Sequence, residues 1–410
     1  MAKKLLIIGL VYPEPTSSAA GSRMLQLIEA FQAFGYFITF ASTAQKTERS
    51  IDFKALGVQD VPIELNSSSF DGFIKTFQPE VVLFDRFMVE EQFGWRVAEN
   101  SPMALRILDT EDLHCLRKGR ERAFFDKAEF TDEYLFSELA KREIASIYRC
   151  DLSLIISGFE LELLKKQFKI PEELLLYLPF MEEPIDEEAQ RKSPGFSERN
   201  HFVTVGTFKH EPNFQSVLYL KQVIWKLIRK KLPEAELHIY GAHVTQKVEQ
   251  LHHPNEGFLI KGYVEDIKET LQQYRVCLAP LPFGAGLKGK LIDAMKSGTP
   301  CVMSSMASEG MFGALPANGF IEDDAVLFSE KAVEIFTIEK TYSEYQNNGF
   351  QIINRLYDKF YFNKLLLDTI LGLQEVLEQH RQKNFIGSML QHHTMQSYKY
   401  MSKWIEAKNN

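Results

Sequence analysis

Val276-Cys277-Leu278-Ala279-Pro280-Leu281-Pro282-Phe283-Gly284-Ala285-Gly286-Leu287-Lys288-Gly289-Lys290-Leu291-Ile292-Asp293-Ala294-Met295 is the most informative stretch of the chain. It reads as a strand, a glycine-rich turn and a helix that begins near Leu287. Glycines let backbone amides converge where a Cβ would intrude. A helix N-terminus adds partial positive charge, so such a turn attracts anions. Lys288 and Lys290 add full charges, and together these features predict a diphosphate site. Asp293 lies about one and a half turns into the helix, within reach of ribose hydroxyls.

By letter, Gly284, Gly286 and Gly289 also spell G-x-G-x-x-G, and Glu309 stands about 20 residues on. Alone, that pattern would predict an NAD(P)-dependent oxidoreductase. It falls late in a second domain, however, and not at a first βα turn. Pro280 and Pro282 also interrupt the approach from the strand. A tight turn that simply needs glycine is the plainer alternative.

Outward from this stretch, short apolar runs alternate with helical patterns. Strands are expected at 5–11, 37–41, 61–65, 81–85, 104–109 and 152–157, with a helix at 22–34. After a polar, Pro-containing segment the alternation restarts: strands at 202–206, 237–241, 259–263, 276–280, 300–304 and 325–328, with a long helix at 213–231. Runs that are apolar on both faces belong to parallel sheets covered by helices. Alternating β and α implies a doubly wound α/β fold. From about 343 onward the pattern is helical.

The chain has 410 residues, enough for two ordinary domains. With 45% hydrophobic and 25% charged residues it is not a disordered chain. A net charge of −8 argues against general nucleic-acid binding, which needs a basic footprint. The four cysteines, Cys115, Cys150, Cys277 and Cys301, form no CxxC pair, so reduced thiols are expected. Met1-Ala2-Lys3-Lys4 before Leu5-Leu6-Ile7-Ile8-Gly9 has the basic and apolar parts of a signal peptide. The apolar run is too short and no clear cleavage site follows, so a buried first strand is expected. No apolar run reaches the roughly 18 residues that span a bilayer. A cytoplasmic location is expected, with peripheral contact at the inner face of a membrane left open.

Residues 280–302 resemble the donor-site motif of retaining GT-B glycosyltransferases, the group 1 or family 4 class. The likeness continues through Ala307-Ser308-Glu309-Gly310-Met311. Val205-Gly206-Thr207-Phe208-Lys209-His210-Glu211-Pro212-Asn213 is similar to the strand–loop that opens the C-terminal domain in that class. Lys261-Gly262-Tyr263-Val264-Glu265-Asp266 is similar to its nucleobase-contacting segment. The resemblance covers most of 200–330 in the right order. It implies two Rossmann-like doubly wound domains facing a central cleft, with C-terminal helices. The expected division is an acceptor-side domain at 1–185, a linker at 186–200, a nucleotide-sugar domain at 201–342, and helices at 343–410 packing across the junction.

The same resemblance implies a site. Donor contacts would come from Lys209, Tyr263, Val264, Gly284, Ala285, Gly286, Leu287, Asp293 and Glu309, with Lys288 on the leaving diphosphate. Leu108-Asp109-Thr110-Glu111-Asp112-Leu113-His114 looks like the segment where the class places a histidine near the reacting sugar, which makes His114 the second catalytic candidate. The small-residue loop Ser17-Ser18-Ala19-Ala20-Gly21-Ser22-Arg23 would meet the acceptor, through Gly21 and Arg23, together with Asp112. Plainer readings stand beside these. The loop is also a serine-capped helix start, His114 a structural hydrogen-bonder, and Lys209 a solvated lysine.

The implied activity is hexosyl transfer, with retention, from a nucleotide-sugar to a glycan or lipid-linked acceptor. No metal, and no cofactor beyond the nucleotide-sugar co-substrate, is implied. Adjacent His392 and His393 fall on different helical faces, so no metal site is expected there. One departure stands out. Relatives carry Glu-x7-Glu, the first glutamate meeting the donor sugar and the second the ribose. Here Asp293 holds the second position and Ala285 the first. The sugar-contacting carboxylate is missing or supplied elsewhere, and a catalytically silent sugar-nucleotide-binding homologue is an alternative.

Overall fold

The computed structural model describes residues 3–409, apart from the side chains at 393–395 and 409. Met1-Ala2 of the signal-like N-terminus and the side chain of His393 therefore lie outside the described residues.

Seven strands build the first sheet: β1 (Lys3–Gly9), β2 (Tyr36–Ser42), β3 (Gln59–Pro62), β4 (Val81–Asp85), β5 (Leu105–Asp109), β6 (Leu152–Ile155) and β7 (Leu175–Tyr177). They lie in the order β3-β2-β1-β4-β5-β6-β7, every neighbouring pair parallel. The apolar run of β1 shows why it is a central strand. Leu6 and Ile8 point into one core and Leu5 and Ile7 into the other, all without solvent exposure. Two-residue periodicity thus supplies both faces of a covered sheet.

Six strands build the second sheet: β8 (Asn200–Val205), β9 (Leu237–Tyr240), β10 (Phe258–Gly262), β11 (Tyr274–Ala279), β12 (Cys301–Met303) and β13 (Gly319–Ile321). Their order is β10-β9-β8-β11-β12-β13, again parallel throughout. Val276 and Leu278 of β11 face one core, Cys277 and Ala279 the other. All four cysteines are buried free thiols. Strand order reverses between β1 and β4 and again between β8 and β11. In such folds, ligand crevices open at these switch points, outside the carboxyl ends of the strands.

Three local expectations need correction. Residues 325–328 are not a strand but the first turn of the helix Ala325–Thr337, whose start Asp324 caps by accepting from the amides of Val326 and Leu327. A short apolar run does not by itself tell strand from helix, and the cap decides. The closing strand is β13 instead, and the three-residue β7 carried too little pattern to be seen. The long helix after β8 contains a π-helical turn, Leu220–Ile224, between Glu211–Tyr219 and Trp225–Lys231. That turn leaves Leu220, Ile224 and Trp225 all buried.

The chain between the sheets holds a short helix, Glu187–Lys192, and a 3-10 turn, Phe196–Glu198. Four helices end the molecule: Glu339–Leu356, Lys359–Glu375, Leu377–Lys383 and Phe385–Asn409. Ile352 and Ile353 of the first join the core of the second domain. The chain then crosses back. Phe362, Leu366, Ile370 and Leu377 enter the first domain's core beside Leu5 and Ile7. Arg381 fixes the return by donating to both carboxylate oxygens of Asp151, each at 2.7 Å. Among the described residues no helix is long and apolar enough to cross a membrane.

Candidate active site at the domain junction

One wall of the junction is the turn after β11. Its helix, Gly289–Lys296, begins at Gly289 and not at Leu287, so Lys288 takes the capping position. The Lys288 side chain is buried and folded back on its own turn. Nζ donates to the carbonyls of Ala285, at 3.2 Å, and Gly286, at 2.7 Å. Burial pulls its pKa down to about 8 against the opposing charges of Glu309 and Glu160. Lys290 is likewise lowered to about 8 by burial, and its Nζ donates to Asn213 Oδ1 at 2.9 Å. Asn213 in turn donates to the Thr207 carbonyl at 3.0 Å. The loops after β8 and β11, which flank the switch point, are therefore tied together around two ammonium groups that lack a full counter-charge.

The facing wall is the segment after β5. Asp109 accepts from Arg23 Nε at 3.0 Å and Nη2 at 2.9 Å, and neither side chain is exposed. Arg23 also donates to the Leu178 carbonyl at 2.7 Å. The acceptor-side expectation for Arg23 is thereby corrected: it is an internal strut. Gly21 is also engaged. Its amide donates to Ser18 Oγ at 3.0 Å, and a Cβ there would lie 2.4 Å from the backbone of Glu14. The serine-cap alternative describes this loop, and glycine is needed so that residues 14–18 can fold over the helix Ala19–Ala33.

His114 opens the helix His114–Asp126. Glu143 accepts from its amide at 2.9 Å and from that of Cys115 at 2.8 Å, which fixes the backbone here. The imidazole packs edge-on against Phe87, and its buried Nδ1 makes no hydrogen bond. It lies 3.5 Å from Glu143 Oε1 and 3.8 Å from Asp112 Oδ1. Burial would raise the carboxyl of Asp112, but Arg117, at 2.6 Å, and His114 hold it well below the usual range.

The two walls touch. Glu160, in the first turn of the helix Gly158–Lys166, accepts from Leu113 N at 3.0 Å and, across the junction, from Gly286 N at 2.8 Å. Gly286 has φ 63°, and a Cβ on it would stand 2.9 Å from Asp112 Cβ. A Cβ on Gly289 would stand 2.7 Å from Ala19 Cβ. Arg120 donates to both oxygens of Glu309, at 2.7 and 2.8 Å, and to the Gly284 carbonyl at 2.8 Å. Ala285 packs into the first domain's core, while Leu287 lies in the second with Ile156. The Tyr263 hydroxyl donates to Thr16 Oγ1 at 2.9 Å, with Arg49 stacked on its ring. Val264 follows it, half-buried, and Lys209 is exposed.

The junction thus brings Gly284, Ala285, Gly286, Leu287, Lys288 and Glu309 against Asp112 and the His114 segment. Asp293 lies farther along its helix, near Lys296 and Glu182, and burial raises its pKa to about 6. Four participants escaped the sequence reading: Glu143, Glu160, Arg120 and His210. Burial and the charge of Arg117 lower His210 to about 4, with Asp112 acting against them and Lys290 with them. Glu160 follows β6, and the after-strand rule that singled out His114 would have found it. Arg120 carried no signal, because its helix reads as a charged surface.

Residues 199–337 match the family model described as glycosyl transferases group 1. That match spans the second domain, about a third of the chain. Around it the whole chain has the GT-B fold. Sucrose-phosphate synthase from Thermosynechococcus elongatus superimposes with a TM-score of 0.69 at 14% identity, over 90% of this chain and 99% of that one. Anabaena Alr3699/HepE, solved in complex with UDP and glucose, gives a TM-score of 0.66 at 12% identity, over 91% and 100%. In sequence, the chain is 23% identical over 294 residues to an uncharacterized 44.6 kDa protein in the cps region of Klebsiella pneumoniae, covering 67% of this chain and 71% of that one. The oxidoreductase alternative gains nothing. The first βα turn of the second domain, 206–210, carries a single glycine, Gly206, where a dinucleotide fingerprint would have to stand.

Proposed function

We propose that the chain transfers a hexosyl group from a nucleotide-sugar to a glycan or lipid-linked acceptor, with retention and without a metal or cofactor of its own. The observation that carries this reading is the pair of lysines at the start of the 289–296 helix, Lys288 buried and Lys290 half-buried, opposed across the junction by the His114 segment. An ammonium whose pKa burial has lowered only to about 8 keeps its charge at neutral pH but lacks solvation, which an arriving anion offsets. Lys288 then turns from its own carbonyls to the leaving diphosphate and stabilises the charge that develops there. Asp293 holds the ribose, Tyr263 and Val264 the base, and His114 Nδ1 a hydroxyl of the sugar. The acceptor approaches from the 14–18 loop, where Ser17 Oγ is buried without a partner. Closure around the donor excludes water and limits its hydrolysis.

The UDP and glucose bound by the Anabaena neighbour support a nucleotide-sugar donor, and the cps-region relative supports a place in polysaccharide synthesis. Such synthesis fits a cytoplasmic protein working at the inner face of the membrane. Thermal-shift titration with UDP-, GDP- and ADP-sugars tests the reading. A ligand at a hundredfold its Kd adds about 2.7 kcal/mol of stability, and Lys288→Ala is expected to abolish transfer. If no nucleotide-sugar stabilises the protein, the reading fails; if Lys288→Ala transfers normally, the assigned mechanism fails. Ala285 favours a second reading, a silent homologue, which would bind a nucleotide-sugar without turnover.

A further inference from the structure

Glu160 is fully buried, and only one of its two oxygens is used. Oε1 accepts from Leu113 N in its own domain and from Gly286 N in the other. Oε2 has no hydrogen-bond partner. A buried carboxyl oxygen without a partner is costly, and its persistence points to a ligand that completes it. The position is informative. Leu113 precedes His114, whose Nδ1 is also buried and unpartnered, and Gly286 belongs to the turn that carries Lys288. Both unpartnered atoms therefore belong to residues set at or next to the contact between the walls.

On the reading proposed above, the diphosphate stays with the turn and the acceptor with the first domain. The group that must lie between them is the sugar. We propose that Glu160 binds a hydroxyl of the donor sugar, supplying from the first domain the carboxylate that position 285 lacks. Ala285 fits this arrangement, because it packs into the first domain's apolar core, where an ionised side chain would be costly. The chemistry also selects a hydroxyl over a phosphate. Burial, and then the charge of Asp112, push the Glu160 carboxyl up to about 8, against the two amides and Lys288. It therefore works near its ionisation point. A hydroxyl can accept from the acid and donate to the carboxylate; a phosphate oxygen is repelled by the ionised form.

Calorimetric titration of wild type and Glu160→Gln tests this. The probes are UDP-glucose, GDP-mannose and ADP-glucose, each paired with its free nucleoside diphosphate. The sugar nucleotide that binds wild type is expected to bind Glu160→Gln about tenfold more weakly. The matching free diphosphate should bind both proteins within about twofold. Equal losses for both ligands would assign Glu160 to the fold, and no loss for either would remove it from the sugar; each outcome overturns the proposal. If wild type binds neither class, the glycosyltransferase reading itself falls. Should Glu160→Gln not fold, Glu160→Asp, which keeps the carboxyl but withdraws it, is measured for the same split.

Discussion

Burial sets the behaviour of single residues here more than proximity does. Glu111, at φ 59° and buried, is raised to about 8, first by burial and then by Asp109. Its unfolded counterpart ionises near 4.5. The folded chain therefore holds an extra proton between these values, and stability falls as pH rises through that interval. His210, lowered to about 4 from 6.5, acts in the opposite sense, but only below 6.5. Between pH 6.5 and 8 wild type should lose stability, and Glu111→Gln should lose roughly 1–2 kcal/mol less by urea unfolding. Coincident curves would mean that Glu111 is ionised in the fold. Arg23→Ala leaves Asp109 buried and unpaired, so a loss of about 3–5 kcal/mol is expected. An unchanged urea midpoint with a raised acceptor KM would return Arg23 to the acceptor site. The location of Lys288 and His114 was legible because each follows a strand. Glu160 follows a strand as well, but its tie to Gly286, like that of Arg120 to Glu309, was not legible, because each partner comes from the other domain.

At the scale of elements, the glycine-rich turn serves closure as well as anion binding. Gly286→Ala combines a left-handed φ of 63° with a Cβ 2.9 Å from Asp112 Cβ, so the turn must retreat. Gly284→Ala meets nothing nearer than Lys288 Cε at 3.5 Å, an ordinary contact. Nucleotide-sugar affinity is expected to drop at least tenfold for Gly286→Ala and to change little for Gly284→Ala, by calorimetry. Similar affinities for the two variants would show that close apposition is unnecessary. Strands were legible where apolar runs fill both faces, as in β1 and β11. The errors fell on short elements: Ala325 to Phe328 took the helix that Asp324 caps, and β7 and β13, of three residues each, were too brief for periodicity.

For the whole molecule, Arg120 is the chief ionic tie between the walls, holding Glu309 and the Gly284 carbonyl. Arg120→Ala should let the domains separate, seen as a larger radius of gyration by small-angle scattering without loss of secondary structure. An unchanged radius would mean that the apolar contacts of Ala285 and Leu287 suffice for closure. The two-domain plan was legible from the restart of alternation after residue 200. The cost of joining the domains was not, because it is set by contacts between distant segments. Phe362, Leu366 and Ile370, near the end of the chain, help to seal a core begun by Leu5 and Ile7. Synthesis is vectorial, so the ribosome finishes the opening sheet long before it makes the strap that covers it. Until then the strip of that sheet under Phe362, Leu366 and Ile370 stays without its apolar cover.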